Sequence, residues 1–127
     1  MHFNAALDAN VTTRNTRTLI FKDVMTNVGN GYDARTGVFT APLAGTYLFL
    51  ASVRPKSENQ VAEVDIVVEH EDYGYAYSSS TNTSGTGHCV VALEGGQKVW
   101  LRTRSGFRSF EKYPANFFSG MLLMCKK

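Results

Sequence analysis

The stretch from Tyr32 to Leu50, YDARTGVFTAPLAGTYLFL, constrains the fold more than any other part of the chain. Asp33 to Gly37 has the polar make-up of a tight turn, and Gly37 supplies a freedom for positive φ that side chains resist. Val38, Phe39 and Thr40 have the β-branched and aromatic character of a short strand. Pro42 cannot donate to a continuing ladder, and Gly45 turns the corner. Thr46 to Val53 then runs as a long apolar strand. Turn, strand, proline break, glycine corner and strand in such short succession is an all-β signature.

The flanking segments extend this pattern. Phe3 to Leu7 and Thr18 to Val24 each read as a strand, with Met25 to Gly31 leading into the central stretch. Within Thr46–Val53, Tyr47, Phe49, Ala51 and Val53 share one face, and Leu48 and Leu50 lie on the other. An antiparallel strand ordinarily keeps one wet face, so two dry faces imply a sandwich core on one side and a partner subunit on the other. Val64, Ile66 and Val68 alternate with Glu63, Asp65 and Glu69. A turn is expected at Glu71 to Gly74, followed by Tyr75-Ala76-Tyr77 and a polar loop from Ser78 to Gly87. Cys89 to Leu93 and Lys98 to Thr103 read as a hairpin around Gly95-Gly96. The last strand, Phe117 to Met124, is apolar on both faces: Phe117, Met121 and Leu123 alternate with Phe118, Leu122 and Met124. No segment has a helical period, and about ten short strands predict a jelly-roll β-sandwich.

Residues 1–127 are expected to form a single domain, long enough to remove roughly two thirds of its chain surface from water. A net charge of +2, with no basic run longer than Lys126-Lys127, argues against a nucleic-acid binder. No apolar run approaches the ~20 residues of a membrane-spanning helix. The opening MHFNAALDAN lacks a secretory leader, so a secreted form is expected to be one whose leader has been removed. Asn10-Val11-Thr12 and Asn82-Thr83-Ser84 are glycosylation triplets in polar stretches. Two cysteines, Cys89 opening one strand and Cys125 ending the last, establish no disulfide framework by themselves.

The candidate chemistry is recognition rather than catalysis. His88 and Cys89 are neighbours whose side chains diverge in a strand, His2 and His70 have no ligand at metal-site spacing, and no nucleophile or phosphate-cradling motif is present. No cofactor is expected, with calcium as the exception: Glu63, Asp65 and above all Glu69, Glu71 and Asp72 can supply hard oxygen ligands, although a solvated strand face is the commoner use of such residues. Tyr73, Tyr75 and Tyr77 recur at a period of two and would form either a glycan platform or a packed interface. Arg102 and Arg104 share a face with Trp100, with Arg108 and Lys112 in the loop beyond. Guanidinium forks match carboxylate and phosphate, which makes sialic acid or lipopolysaccharide natural ligands, and a solvated charged face is the alternative.

The order and spacing of short motifs along the whole chain resemble the globular-head domain of the complement C1q family. They are Phe3-x-Ala5, Ile20-Phe21, Asn27-x-Gly29, the Tyr32–Phe49 stretch, Leu93-x-x-Gly96-x-x-Val99-Trp100 and Phe118-Ser119-Gly120-x-Leu122-Leu123. Gln97 stands where that family usually carries an acidic residue. The resemblance implies a ten-stranded jelly roll, similar in shape to tumour necrosis factor ligands, that assembles as a homotrimer without catalysis. It also implies a secreted role close to that of collagen-lacking invertebrate lectins of innate immunity, which bind microbial surface glycans or lipopolysaccharide. A tumour necrosis factor-like signalling ligand and an extracellular matrix assembly protein are the alternatives. For the trimer and core the expected residues are Leu48, Leu50, Phe117, Phe118, Leu122, Leu123 and Met124.

Overall fold

The computed structural model describes residues 1–127 and consists of strands and connecting segments, so no helix is long and apolar enough to cross a membrane. In chain order the strands are β1 (His2–Ala6), β2 (Val11–Thr13), β3 (Asp23–Val28), β4 (Tyr32–Asp33), β5 (Val38–Thr40), β6 (Gly45–Val53), β7 (Ala62–Val68), β8 (Glu71–Ser78), β9 (Gly85–Leu93), β10 (Lys98–Thr103), β11 (Arg108–Phe110) and β12 (Phe117–Cys125). Two five-stranded antiparallel sheets, ordered β3-β1-β12-β6-β9 and β4-β5-β10-β7-β8, face each other, and β11 pairs with β2 in a separate ladder. The chain changes sheet repeatedly, which is the jelly-roll topology expected from the strand spacing.

Inward-facing apolar residues of both sheets make the core. Tyr47, Phe49, Ala51 and Val53 of β6 meet Val64 and Ile66 of β7 and Val99 and Leu101 of β10, all fully buried or nearly so. Phe3 lies at the centre of an aromatic cluster, stacked on Tyr32 at 4.8 Å and edge-on to Phe118 at 4.8 Å between ring centroids. Such geometries add to the burial of the rings themselves. Cys89 and Cys125 are both free, the first buried in this core and the second exposed.

Several local expectations are overturned. Thr18–Val24 does not form a strand; the strand begins at Asp23. The preceding residues are buried in irregular backbone because their polar groups find partners elsewhere. Leu19 N–H donates to Leu101 O at 2.9 Å. The Tyr32 hydroxyl accepts from Phe21 N–H at 3.0 Å and donates to Phe21 O at 2.6 Å. Glu71–Gly74 is not a turn either: Glu69 and His70 make it, with φ of 47° and 74°, and Glu71 already opens β8. Cys89 lies inside β9 rather than at its start.

The hairpin around Gly95-Gly96 is absent. Leu93 pairs with Gly45 in the first sheet, whereas Lys98 pairs with Thr40 in the second. Gly96 N–H donates to Ala41 O at 2.9 Å and Ala41 N–H to Gln97 O at 2.8 Å, so this turn steps across the sandwich. Apolar alternation in β9 and β10 serves one core from opposite sides, a distinction the pattern alone does not carry. In β12, a register shift between Leu122 and Met124 breaks the expected alternation, leaving Leu123 and Met124 both exposed.

At one edge of the sandwich the final strands of the two sheets, β8 and β9, lie against each other. Gly85 and Gly87 permit this approach, because a methyl group on either would overlap the carbonyl of Tyr77 or Tyr75. Gly87→Ala is therefore expected to destabilise the fold by about 2 kcal/mol or more. Gly95→Ala, whose added carbon would find its nearest neighbour at 3.9 Å, should stay within about 0.5 kcal/mol. Urea unfolding of the two variants separates them, and coincident midpoints would contradict the tight β8–β9 edge.

Candidate functional site

Strand β7 is buried along its whole length, on both faces. Its inner face is apolar, while its outer face carries Glu63 and Asp65. Cross-strand register places Arg102 of β10 and Tyr75 of β8 on either side of Asp65. Arg104, just beyond β10, grips Asp65 with a fork, Nε to Oδ2 at 3.2 Å and Nη2 to Oδ1 at 2.9 Å. Arg102 Nη2 bridges Asp65 Oδ2 at 3.1 Å and Asp72 Oδ1 at 2.5 Å. Arg108 of β11 donates twice to Glu63 Oε1, from Nε at 2.9 Å and from Nη2 at 2.6 Å. The Tyr75 hydroxyl donates to Glu63 Oε2, and the Arg104 guanidinium lies over the Tyr75 ring, 4.5 Å from its centroid.

The Asp65 and Glu63 side chains keep only 4% and 8% of their surface exposed. Burial pushes the Glu63 carboxyl upward, but hydrogen bonds from Tyr75 and Arg108, with the charges of Arg108 and Arg104, outweigh it and hold the pKa below the ordinary range. Asp65 is likewise raised by burial and carried below its ordinary value by its bonds and charges from Arg104 and Arg102. Burial and the bond to Glu63 push the Tyr75 phenol up to about 12. Burial alone lifts the Cys89 thiol to about 11, so it is a packed core thiol rather than a nucleophile.

The structure thus gathers Arg102, Arg104, Arg108 and Tyr75, and joins to them the carboxylates Glu63, Asp65 and Asp72. The arginines are not free cations. Three guanidinium groups face three carboxylates, and Arg108 opens a strand rather than lying in a loop. Lys112 takes no part: its backbone N–H donates to Asn10 Oδ1 at 2.8 Å. The calcium candidates are not brought together. Glu69 Oε1 accepts Lys98 N–H at 2.9 Å, Asp72 is engaged by Arg102, and no three His, Cys, Asp or Glu side chains converge as a metal ion requires. Glu63 and Asp65 are not a solvated face but the anchor of the site.

A β-bulge shapes this surface. Ile66 pairs with Gly74 and Val67 with Asp72, which leaves Tyr73 as the extra residue. Asp72 thereby reaches Arg102 on the face that also carries Tyr75 and Tyr77, whose rings stack at 6.5 Å; these two and Tyr73 at the bulge are all exposed. A polar cleft of about 350 Å³ lies beside them, lined by Asp65, Asp72, Arg102, Arg104 and the hydroxyl residues Thr16 and Ser105. The shared face of Glu63 and Asp65 was legible from alternation, and so was that of Arg102 and Arg104. The adjacency of β7 and β10 was not.

Removing the fork on Glu63 should leave a desolvated charge. Arg108→Ala is expected to cost about 3 kcal/mol at neutral pH, and the Arg108→Ala, Glu63→Gln double variant clearly less than the sum of the singles. Additive losses in a double-mutant cycle would contradict the pairing. The pH dependence has a definite sign. Folded-state carboxyl pKa values below the unfolded ones mean that this stabilisation is complete above about pH 4 and is lost as pH falls through the depressed values. Melting temperature should therefore fall below about pH 4, and Asp65→Asn should start lower at neutral pH and decline less over that interval.

The geometry has clear relatives. The family model of the C1q domain matches residues 2–123. Over 127 residues and 95% of this chain, the sequence is 33% identical to human complement C1q tumor necrosis factor-related protein 3, covering 50% of that protein. It is 32% identical to a human complement C1q subcomponent over 95% of this chain and 49% of that protein. The chain spans about half the length of these relatives. Among solved structures, the globular domain of zebrafish complement 1qA superposes with a TM-score of 0.73 at 16% identity, covering 98% of each chain. Eiger TNF from S. frugiperda superposes with a TM-score of 0.77 at 14% identity, over 99% of this chain and 92% of that one. With this jelly roll and the motif order along it, the chain belongs to the C1q domain family, whose members are ligand and recognition proteins rather than enzymes.

Proposed function

We propose that the chain is a secreted, homotrimeric recognition domain that binds microbial polysaccharides or other glycans, in the manner of an innate-immune lectin. The observation that carries this reading is the uncovered face of the first sheet. Cross-strand register sets Val90, Leu48 and Met121 in one row across β9, β6 and β12. Leu50, two residues along β6, and Leu123 and Met124, further along β12, are exposed beside that row, and Val90 is 58% exposed. A contiguous apolar surface of this kind marks an association site. Threefold closure would cover it and leave no open association surface, with an interface on the order of 2,000 Å² per pair of subunits.

The opposite, outer face stays free in such an assembly. Its exposed tyrosines with Arg102, Arg104 and Arg108 are the proposed glycan contact, and Lys112 stands outside it. The triplets at Asn10 and Asn82 lie on exposed surface, which supports an extracellular setting.

Sedimentation velocity at micromolar concentration should give a trimer, and Val90→Glu should give a folded monomer. A monomeric parent protein would refute the assembly. A glycan array probed with the trimer tests the recognition reading. A trimer that binds no glycan but engages a cell-surface receptor would favour the signalling-ligand alternative.

A further inference from the structure

We infer that the outer face of the second sheet takes neutral, polyhydroxylated sugars in preference to anionic ones. This rests on the glycan-recognition reading above and narrows it to one class of ligand and one place.

Charge is the first argument. Arg102, Arg104 and Arg108 already face Asp65, Asp72 and Glu63. A carboxylate or phosphate seeking the forks of Arg104 or Arg108 would have to compete with Asp65 or Glu63 for them. Each buried carboxylate would lose part of the bonding that offsets its burial, which makes such competition costly. The same ligand would also meet Asp72, whose side chain is 53% exposed at the rim. Like charge at that distance disfavours its approach.

Hydroxyl groups need no such displacement. Arg102 donates only from Nη2, and Asp72 accepts only at Oδ1. Arg102 Nη1 and Asp72 Oδ2 therefore remain as a donor and an acceptor beside the polar cleft, with the hydroxyls of Thr16 and Ser105 among its lining residues. A sugar hydroxyl both donates and accepts, so it satisfies such a pair while leaving every ion pair intact. The cleft volume of about 350 Å³ falls within the range of small-ligand sites.

The aromatic surface completes the complement. Tyr75 and Tyr77, whose rings stack on this face, are 43% and 47% exposed, and Tyr73 at the neighbouring bulge is 47% exposed. Arg104 covers the Tyr75 ring, while Tyr73 and Tyr77 carry no such cation and offer apolar faces for the C–H surface of a sugar ring. An amphipathic ligand, apolar on its ring face and hydroxylated at its edge, matches the stripe and the cleft together.

The test is binding of the full chain, as the assembled trimer, to immobilised mannan and laminarin as neutral probes and to heparin and polysialic acid as anionic ones. At least one neutral polymer should bind, with affinity unchanged between about 50 mM and about 500 mM salt. The Tyr73→Ala, Tyr77→Ala double variant should weaken that binding roughly tenfold while keeping the parent melting temperature. Neutral binding that survives in the double variant would overturn the location and leave glycan recognition standing. Salt-sensitive binding to the anionic polymers alone would overturn the class. Binding to none of the four would overturn this inference, and a silent glycan array would take the recognition reading with it.

Discussion

The outer half of this molecule depends on how Asp65 is held. Strand β7 runs through the second sheet with both faces covered, so the side chains on its outer face must leave water whatever their chemistry. For a carboxylate that transfer costs several kcal/mol unless charge and hydrogen bonds offset it. Arg104 and Arg102 supply both for Asp65, and Arg108 with Tyr75 does so for Glu63. Strands β7, β8, β10 and β11 are thereby tied together by charge on one side of the sheet as well as by apolar contact on the other. Replacing such pairs by packed apolar groups is often neutral in net stability, whereas removing one partner alone is costly. A one-residue slip of β10 would drive Arg102 toward the core and expose Leu101, breaking both sets of contacts at once.

The two sheets consequently present outer surfaces of opposite character. One shows Leu48, Leu50, Val90 and the end of β12 as an apolar surface that water covers poorly. The other shows paired charges, tyrosine rings and a polar cleft, with no excess of either sign in its ion cluster. An assembly that hides the first leaves the second facing outward. The free polar end of Asp72 owes its place to a bulge in β8, an instance of an irregularity that re-aims a side chain.

Much of the core was legible from alternation. Tyr47, Phe49, Ala51 and Val53 were separable from Leu48 and Leu50 on periodicity alone, and both groups lie where that pattern puts them. The failures share a cause. Thr18–Val24 has strand-forming residues, yet a tyrosine hydroxyl eleven residues away satisfies the backbone of Phe21 on both sides. Gly95-Gly96 is a good turn, yet the strands it joins belong to different sheets. Local chemistry named the turn but held no information about which ladder each strand would enter.

Sequence by itself determined the fold class, the apolar and polar faces of the longer strands, and the family, because these rest on period, turn residues and motif order within the chain. Tertiary structure alone decided the chemistry of the outer face. Arg102 and Asp65 are separated by 37 residues and Arg108 and Glu63 by 45. Whether Arg102, Arg104 and Arg108 form a basic site or half of a neutral network depends on strand adjacency across that distance. Adjacency is set by the packing of two sheets around a shared aromatic core, a property of the whole chain that no local pattern contains.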